Sequence, residues 1–168
     1  IPLANLASAG RGTDAEAIGK LLVDKATSLN GQQSLENRQS LTAMFSLYTQ
    51  QKNFKTANQY LDQILAIDPR KFELGRSASR PFSGPEDIAF ALALKEETRA
   101  YGMDVLNKIL INRLNTYGPD DMRTMDILSK IGLAETRAGN FADAEKHLKM
   151  AMGIANLYDT SSPTYFVA

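Results

Sequence analysis

An all-α fold assembled from helix pairs is what this sequence predicts, on three observations. No segment alternates apolar and polar residues with period 2, so no sheet is expected. Apolar residues recur at helical spacing in segment after segment, each bounded by a capping residue and a stop. Asn-Phe-x-x-Ala occurs twice, at Asn53 and at Asn140, and opens an amphipathic run each time. That recurrence marks an internal repeat.

Composition agrees with a packed domain. The chain has 168 residues, 43% hydrophobic and 23% charged, which is enough for one domain with a real core. Acidic and basic residues number 19 each, so net charge gives no support for a nucleic-acid or membrane-surface protein. Without cysteine there are no disulfides and no thiolate metal sites. No apolar run approaches the roughly 20 residues of a membrane-spanning helix, so no membrane insertion is expected. The chain does not begin with Met and Ile1–Gly10 has no signal-like pattern, so it reads as a processed or excised piece of something longer. Its compartment is not readable.

Residues 1–12 form a weakly patterned lead-in. Thr13-Asp14-Ala15-Glu16 has the form of a capping box and predicts a helix to about Leu29, with Ile18, Leu21, Leu22, Ala26 and Leu29 inward. Asn30-Gly31 ends it. A second helix is expected over Leu35–Gln51, with Leu41, Met44, Phe45 and Tyr48 inward. In the third, Asn53 is the cap, Phe54, Ala57, Leu61, Ile64, Leu65 and Ile67 form the apolar face, and Pro69 is the stop. Residues 70–85, rich in Gly, Pro and Ser, read as a loop. Ser83-Gly84-Pro85-Glu86 starts helix again, from Pro85 to Arg99 and from Met103 to Tyr117, with Gly102 at the join or at the bend of a single helix. Gly118-Pro119 stops it, and Asp120 or Asp121 caps a helix to about Ala138. Gly139-Asn140 turns into the last helix, which ends near Tyr158 and has Phe141, Ala144, Leu148, Ala151 and Met152 inward. Residues 159–168 read as an extended or disordered tail.

Antiparallel helix pairs of this design, with Phe opening the second helix, Ala three residues later and Pro at its end, resemble the tetratricopeptide repeat of about 34 residues. Three units align by number. The first covers residues 38–71, with Leu41, Met44, Tyr48, Phe54, Ala57, Leu61, Ile64 and Pro69. The third covers 125–158, with Leu128, Ile131, Gly132, Gly139, Phe141, Ala144, Leu148 and Ala151. A degenerate middle unit, 87–120, is placed by matching Glu97-Thr98-Arg99-Ala100 to Glu135-Thr136-Arg137-Ala138. That match sets Met103, Leu106 and Leu110 against Phe141, Ala144 and Leu148. The junction Tyr117–Asp121 resembles that of kinesin light chains. Phe45, Glu135 and Arg113 depart from the family pattern. The resemblance implies a right-handed α-solenoid over residues 13–158. The leading helix reads as its N-terminal cap, with the second helix of a truncated upstream unit as the alternative.

Chemistry is sparse. His147 is the only histidine and reads as a solvated surface residue beside Glu145 and Lys146. Asp120-Asp121 with Asp126 is the densest acidic run, and helix capping accounts for the pair. There is no phosphate-cradling Gly motif, no nucleophile elbow and no second histidine to serve one. The reading is therefore a non-enzyme with no catalytic residue, metal site or cofactor. In the 70–85 loop, Arg70, Lys71, Arg76 and Arg80 with Phe72 and Phe82 read first as a solvated or disordered segment; the functional alternatives are an arm that packs on a neighbour or a partner-specific insertion, ahead of a nucleic-acid contact.

In the tetratricopeptide family the first helix of each pair lines a concave face that binds extended or helical peptides. The resemblance places Gln39, Thr42, Ser46 and Thr49 there from the first unit, and Ala91, Lys95, Thr98 and Arg99 from the second. The third unit adds Asp126, Ser129, Leu133, Thr136 and Arg137. Thr42 and Ser46 stand where the family's chaperone-tail clamp needs Lys and Asn, so no such clamp is expected. Ala43 and Lys130 replace the asparagines typical of kinesin light chains. The expected function is a protein-interaction module that binds a protein or peptide partner on that face. The alternatives are a homo-oligomerisation domain, with terminal apolar faces and Tyr165-Phe166-Val167 as contacts, and a regulatory or targeting domain of a larger enzyme.

Overall fold

The computed structural model of the chain describes residues 9–72 and 84–159. Seven α-helices and two short 3-10 turns occur among them, with no strand. The helices are α1 (Gly12–Asn30), α2 (Leu35–Gln50), α3 (Phe54–Leu65), α4 (Pro85–Ala93), α5 (Arg99–Tyr117), α6 (Met122–Ala138) and α7 (Phe141–Asp159). The chain divides into two compact units, Ile1–Pro85 and Glu86–Ala168. The expected 70–85 loop and the tail fall largely outside the described residues. Of the loop, Pro69–Phe72 is a 3-10 turn.

In the first unit α1 packs on α2, and α2 on α3. The expected capping box does not form. The helix starts at Gly12 with no side-chain cap, which leaves Thr13 inside the first turn. Glu16 reaches forward to Lys20 at 2.6 Å and hydrogen-bonds the Tyr48 hydroxyl. Of the expected inward face of α1, only Ala26 is buried. Ala15, Gly19 and Ala26 are buried, whereas Ile18, Leu21, Leu22 and Leu29 are exposed, Leu29 by 78%. The face that α1 buries is lined by small residues, and the bulky stripe beside it stays exposed.

α2 keeps its expected core of Leu41, Met44, Phe45 and Tyr48, and adds Leu47. The Asn53 side chain caps α3 by accepting the Thr56 N–H at 3.2 Å. Ala57, Leu61, Ile64 and Ile67 are buried below it. The helix ends at Leu65, short of Pro69. Gln33 secures that end: its amide donates to the Ala66 carbonyl (3.4 Å) and accepts the Asp68 N–H (3.1 Å).

In the second unit the expected break at Gly102 is displaced. α4 stops at Ala93, the chain turns through 94–98, and Gly102 lies in the first turn of α5. A Cβ on Gly102 would lie 2.3 Å from the Ala93 nitrogen and 2.7 Å from the Ala89 carbonyl oxygen, so α4 and α5 touch backbone to backbone. α5 packs on α6, and α6 on α7. Asp121 caps α6 through the Arg123 N–H at 2.8 Å, and Gly139 ends it in the left-handed conformation at φ 82.

The helix starts correct the middle register. Phe54, Arg99 and Phe141 each open a helix. Three residues on, Ala57, Gly102 and Ala144 are buried. Leu61 and Leu106 are then fully buried, and Leu148, at the same place in α7, is half-buried. Ile64, Ile109 and Ala151 are buried next. The match between Glu97–Ala100 and Glu135–Ala138 is therefore coincidental, since the first opens a helix and the second closes one. Phe141 and Met152, expected inward, are 68% and 63% exposed.

Candidate functional site

The four sequence-chosen residues of α2 do not form a polar lining. Gln39 and Ser46 are half-buried, and Thr42 and Thr49 are buried. The Thr42 hydroxyl donates to the Arg38 carbonyl and that of Thr49 to the Ser46 carbonyl, both at 2.8 Å. Threonines that bond back to their own helix have spent their donors locally.

In the second unit, Ala91 and Lys95 are exposed. Thr98 is buried and donates to the Leu92 carbonyl at 2.8 Å, which closes the turn between α4 and α5. Arg99 is half-buried, with its Nε shielded from solvent. These two residues support the α4–α5 corner rather than line a surface.

α6 presents a coherent face. Asp126, Leu133, Thr136 and Arg137 are exposed, and Ser129 is half-buried. Asp126, Lys130, Leu133 and Arg137 follow helical spacing along one stripe. Lys130 holds Asp126 at 2.6 Å and reaches Asp87 on α4 at 3.6 Å. Burial alone would depress the Lys130 ammonium, but the Asp126 hydrogen bond and the charges of Asp126, Asp87 and Glu86 outweigh it. The pKa lies above its ordinary value, and Lys130 stays charged. Arg113 lies 3.6 Å from Glu86, again joining α5 to the start of α4. The surface is thus acid–base–acid at the N-terminal end of α6 and basic at its C-terminal end. Between them Leu133 is 52% exposed.

Sequence reasoning missed three features. Asp87 joins the site through its 3.6 Å ion pair with Lys130, a contact between α4 and α6. His147 is half-buried and bonds Glu135 at 2.8 Å, which corrects the expectation of a solvated histidine. A polar cleft of about 440 Å³ opens in the first unit, among α1, α3 and the end of α2. There Tyr48 stacks on Tyr60, with ring centroids 5.5 Å apart and an interplanar angle of 16°. Burial first, and the Glu16 hydrogen bond second, raise the Tyr48 pKa. Of the cleft's polar groups, Lys20 pairs with Glu16, and the Gln63 amide donates to the Gln59 carbonyl of its own helix.

Among the described residues no three carboxylates or histidines converge as a metal site. Nor is any described helix long and apolar enough to cross a membrane. Compared with known proteins, the chain matches no family model and no curated sequence.

Proposed function

We propose that this chain is a non-catalytic protein-interaction module of tetratricopeptide type, a right-handed solenoid that holds a peptide or partner helix against the α4–α6 surface. The observation that carries the reading is Leu133. It is a large apolar side chain left half-exposed between the Asp87–Lys130–Asp126 cluster and Arg137. An apolar anchor ringed by charge is the arrangement by which an interface gains affinity at its centre and orientation at its rim. The partner that fits has an apolar side chain for Leu133, a basic group toward Asp87 and Asp126, and an acidic group toward Arg137.

A random peptide library selected on the immobilised protein tests this. Selected peptides should bind Leu133→Asp at least tenfold more weakly, about 1.4 kcal/mol. Lys130→Glu should change which peptides are selected, and Gln63→Ala, in the first unit, should change neither. Equal capture by wild type and Leu133→Asp, at equal melting temperature, would overturn the assignment.

A further inference from the structure

The contact between α5 and α6 supplies a template for what α7 leaves open. Leu110 of α5 packs with Met125 against the buried cluster Leu128, Ala151 and Ile154. Counted from the helix starts Arg99 and Phe141, the residue of α7 at the place of Leu110 is Met152. Met152 is exposed, as is Phe141 three turns earlier. Leu148 lies between them, half-buried over Gly132. Glu145 and Lys149 pair with each other and keep 64% and 72% of their side-chain surface. These five residues share one stripe of the helix, at i, i+4, i+7, i+8 and i+11.

We propose that this stripe is a self-complementary contact through which two copies of the chain pair their α7 helices antiparallel about a twofold axis. An isologous contact requires each group to find its complement at the mirrored place in the same stripe. Phe141 and Met152 are nearly equidistant from the middle of the stripe, so each Phe141 ring meets the partner's Met152, a favourable aromatic–thioether contact. Leu148, close to the middle, meets its own copy. Glu145 and Lys149 are also symmetric about that middle, so each carboxylate faces the partner's ammonium. In a parallel pairing like charges would face each other, and that discriminates against it. The charge pattern therefore selects a second copy in one orientation over an unrelated apolar helix.

Sedimentation velocity on the full chain over a concentration series tests the pairing, with circular dichroism as the folding control. Wild type should show a reversible monomer–dimer equilibrium. Met152→Glu should be monomeric with unchanged helicity. Glu145→Lys and Lys149→Glu should each weaken the dimer at least tenfold, and the double variant should restore it. A wild type that stays monomeric at every concentration would overturn the proposal and leave the stripe to the chain's own 160–168 segment or to a foreign helix. So would a dimer indifferent to Met152→Glu, or a double variant as weak as the singles.

Discussion

His147 Nδ1 lies 2.8 Å from Glu135 Oε2, a bond that ties α7 to α6 across the Gly139 turn. Glu135 is 8% exposed, so its carboxylate depends on this partner. His147→Ala should cost about 1–3 kcal/mol, the penalty for leaving a buried polar group unmet. Glu135→Ala/His147→Ala, measured with both singles by urea denaturation, should show a coupling above roughly 0.5 kcal/mol. Additive losses would mean that the two side chains stabilise the protein separately.

Glycine at two helix crossings gives a graded prediction. At Gly102 an added methyl meets the backbone of α4, which cannot step aside. At Gly132 it meets the Leu148 side chain, with Cγ at 2.7 Å, which can rotate. Gly102→Ala should destabilise by about 3 kcal/mol or more, toward the upper end of overpacking, and Gly132→Ala by about 1–2 kcal/mol. Both figures already oppose the roughly 1 kcal/mol that Ala gains over Gly in a helix. Chemical denaturation of the two variants should rank them in that order.

Asp121 carries a pH dependence. The Arg123 hydrogen bond holds its carboxyl below the ordinary value of 3.8. A depressed folded-state pKa contributes stability above the unfolded pKa and loses it as pH falls through the folded one. Asp121→Asn keeps a capping oxygen but removes the charge. It should therefore cost roughly 0.5–1 kcal/mol near neutral pH, as a partly exposed pair. Thermal melts of the two proteins should converge below the carboxylate range.

At the alkaline end, Tyr48 has the opposite sign. Burial favours its neutral form and raises its pKa above the ordinary 10. That stability is complete below the unfolded pKa and is lost as pH rises through the folded one. Absorbance titration should show one tyrosine ionising only with unfolding, and Tyr48→Phe should remove that late step.

What could be read from the sequence follows the range of the physics. The Asn53 cap, the Asp121 cap, the Gly139 stop and the α2 core are all set within a few residues, and all were legible. The α1 face was not, because hydrophobicity alone cannot say that a helix approaches through Ala15, Gly19 and Ala26 and leaves Leu29 outside. The middle register failed for the same reason. Gly102 reads as a breaker in isolation, and only the closeness of Ala89 and Ala93 makes it a packing residue. The candidate surface was half legible: Leu133 and Arg137 follow helix periodicity, but Asp87 and the Glu135–His147 bond arise between helices. Thr42, Thr49 and Thr98 were misjudged because a threonine on a polar stripe does not reveal whether its hydroxyl faces outward or bonds back to the chain.

Chemical-shift mapping of a library-selected peptide on isotope-labelled protein tests the α4–α6 assignment most directly. Perturbations should cluster on Asp87, Ala91, Lys130, Leu133 and Arg137, and vanish at the same peptide concentration in Leu133→Asp. Perturbations centred instead on the Tyr48–Tyr60 cleft, or on the Phe141–Met152 stripe, would contradict it.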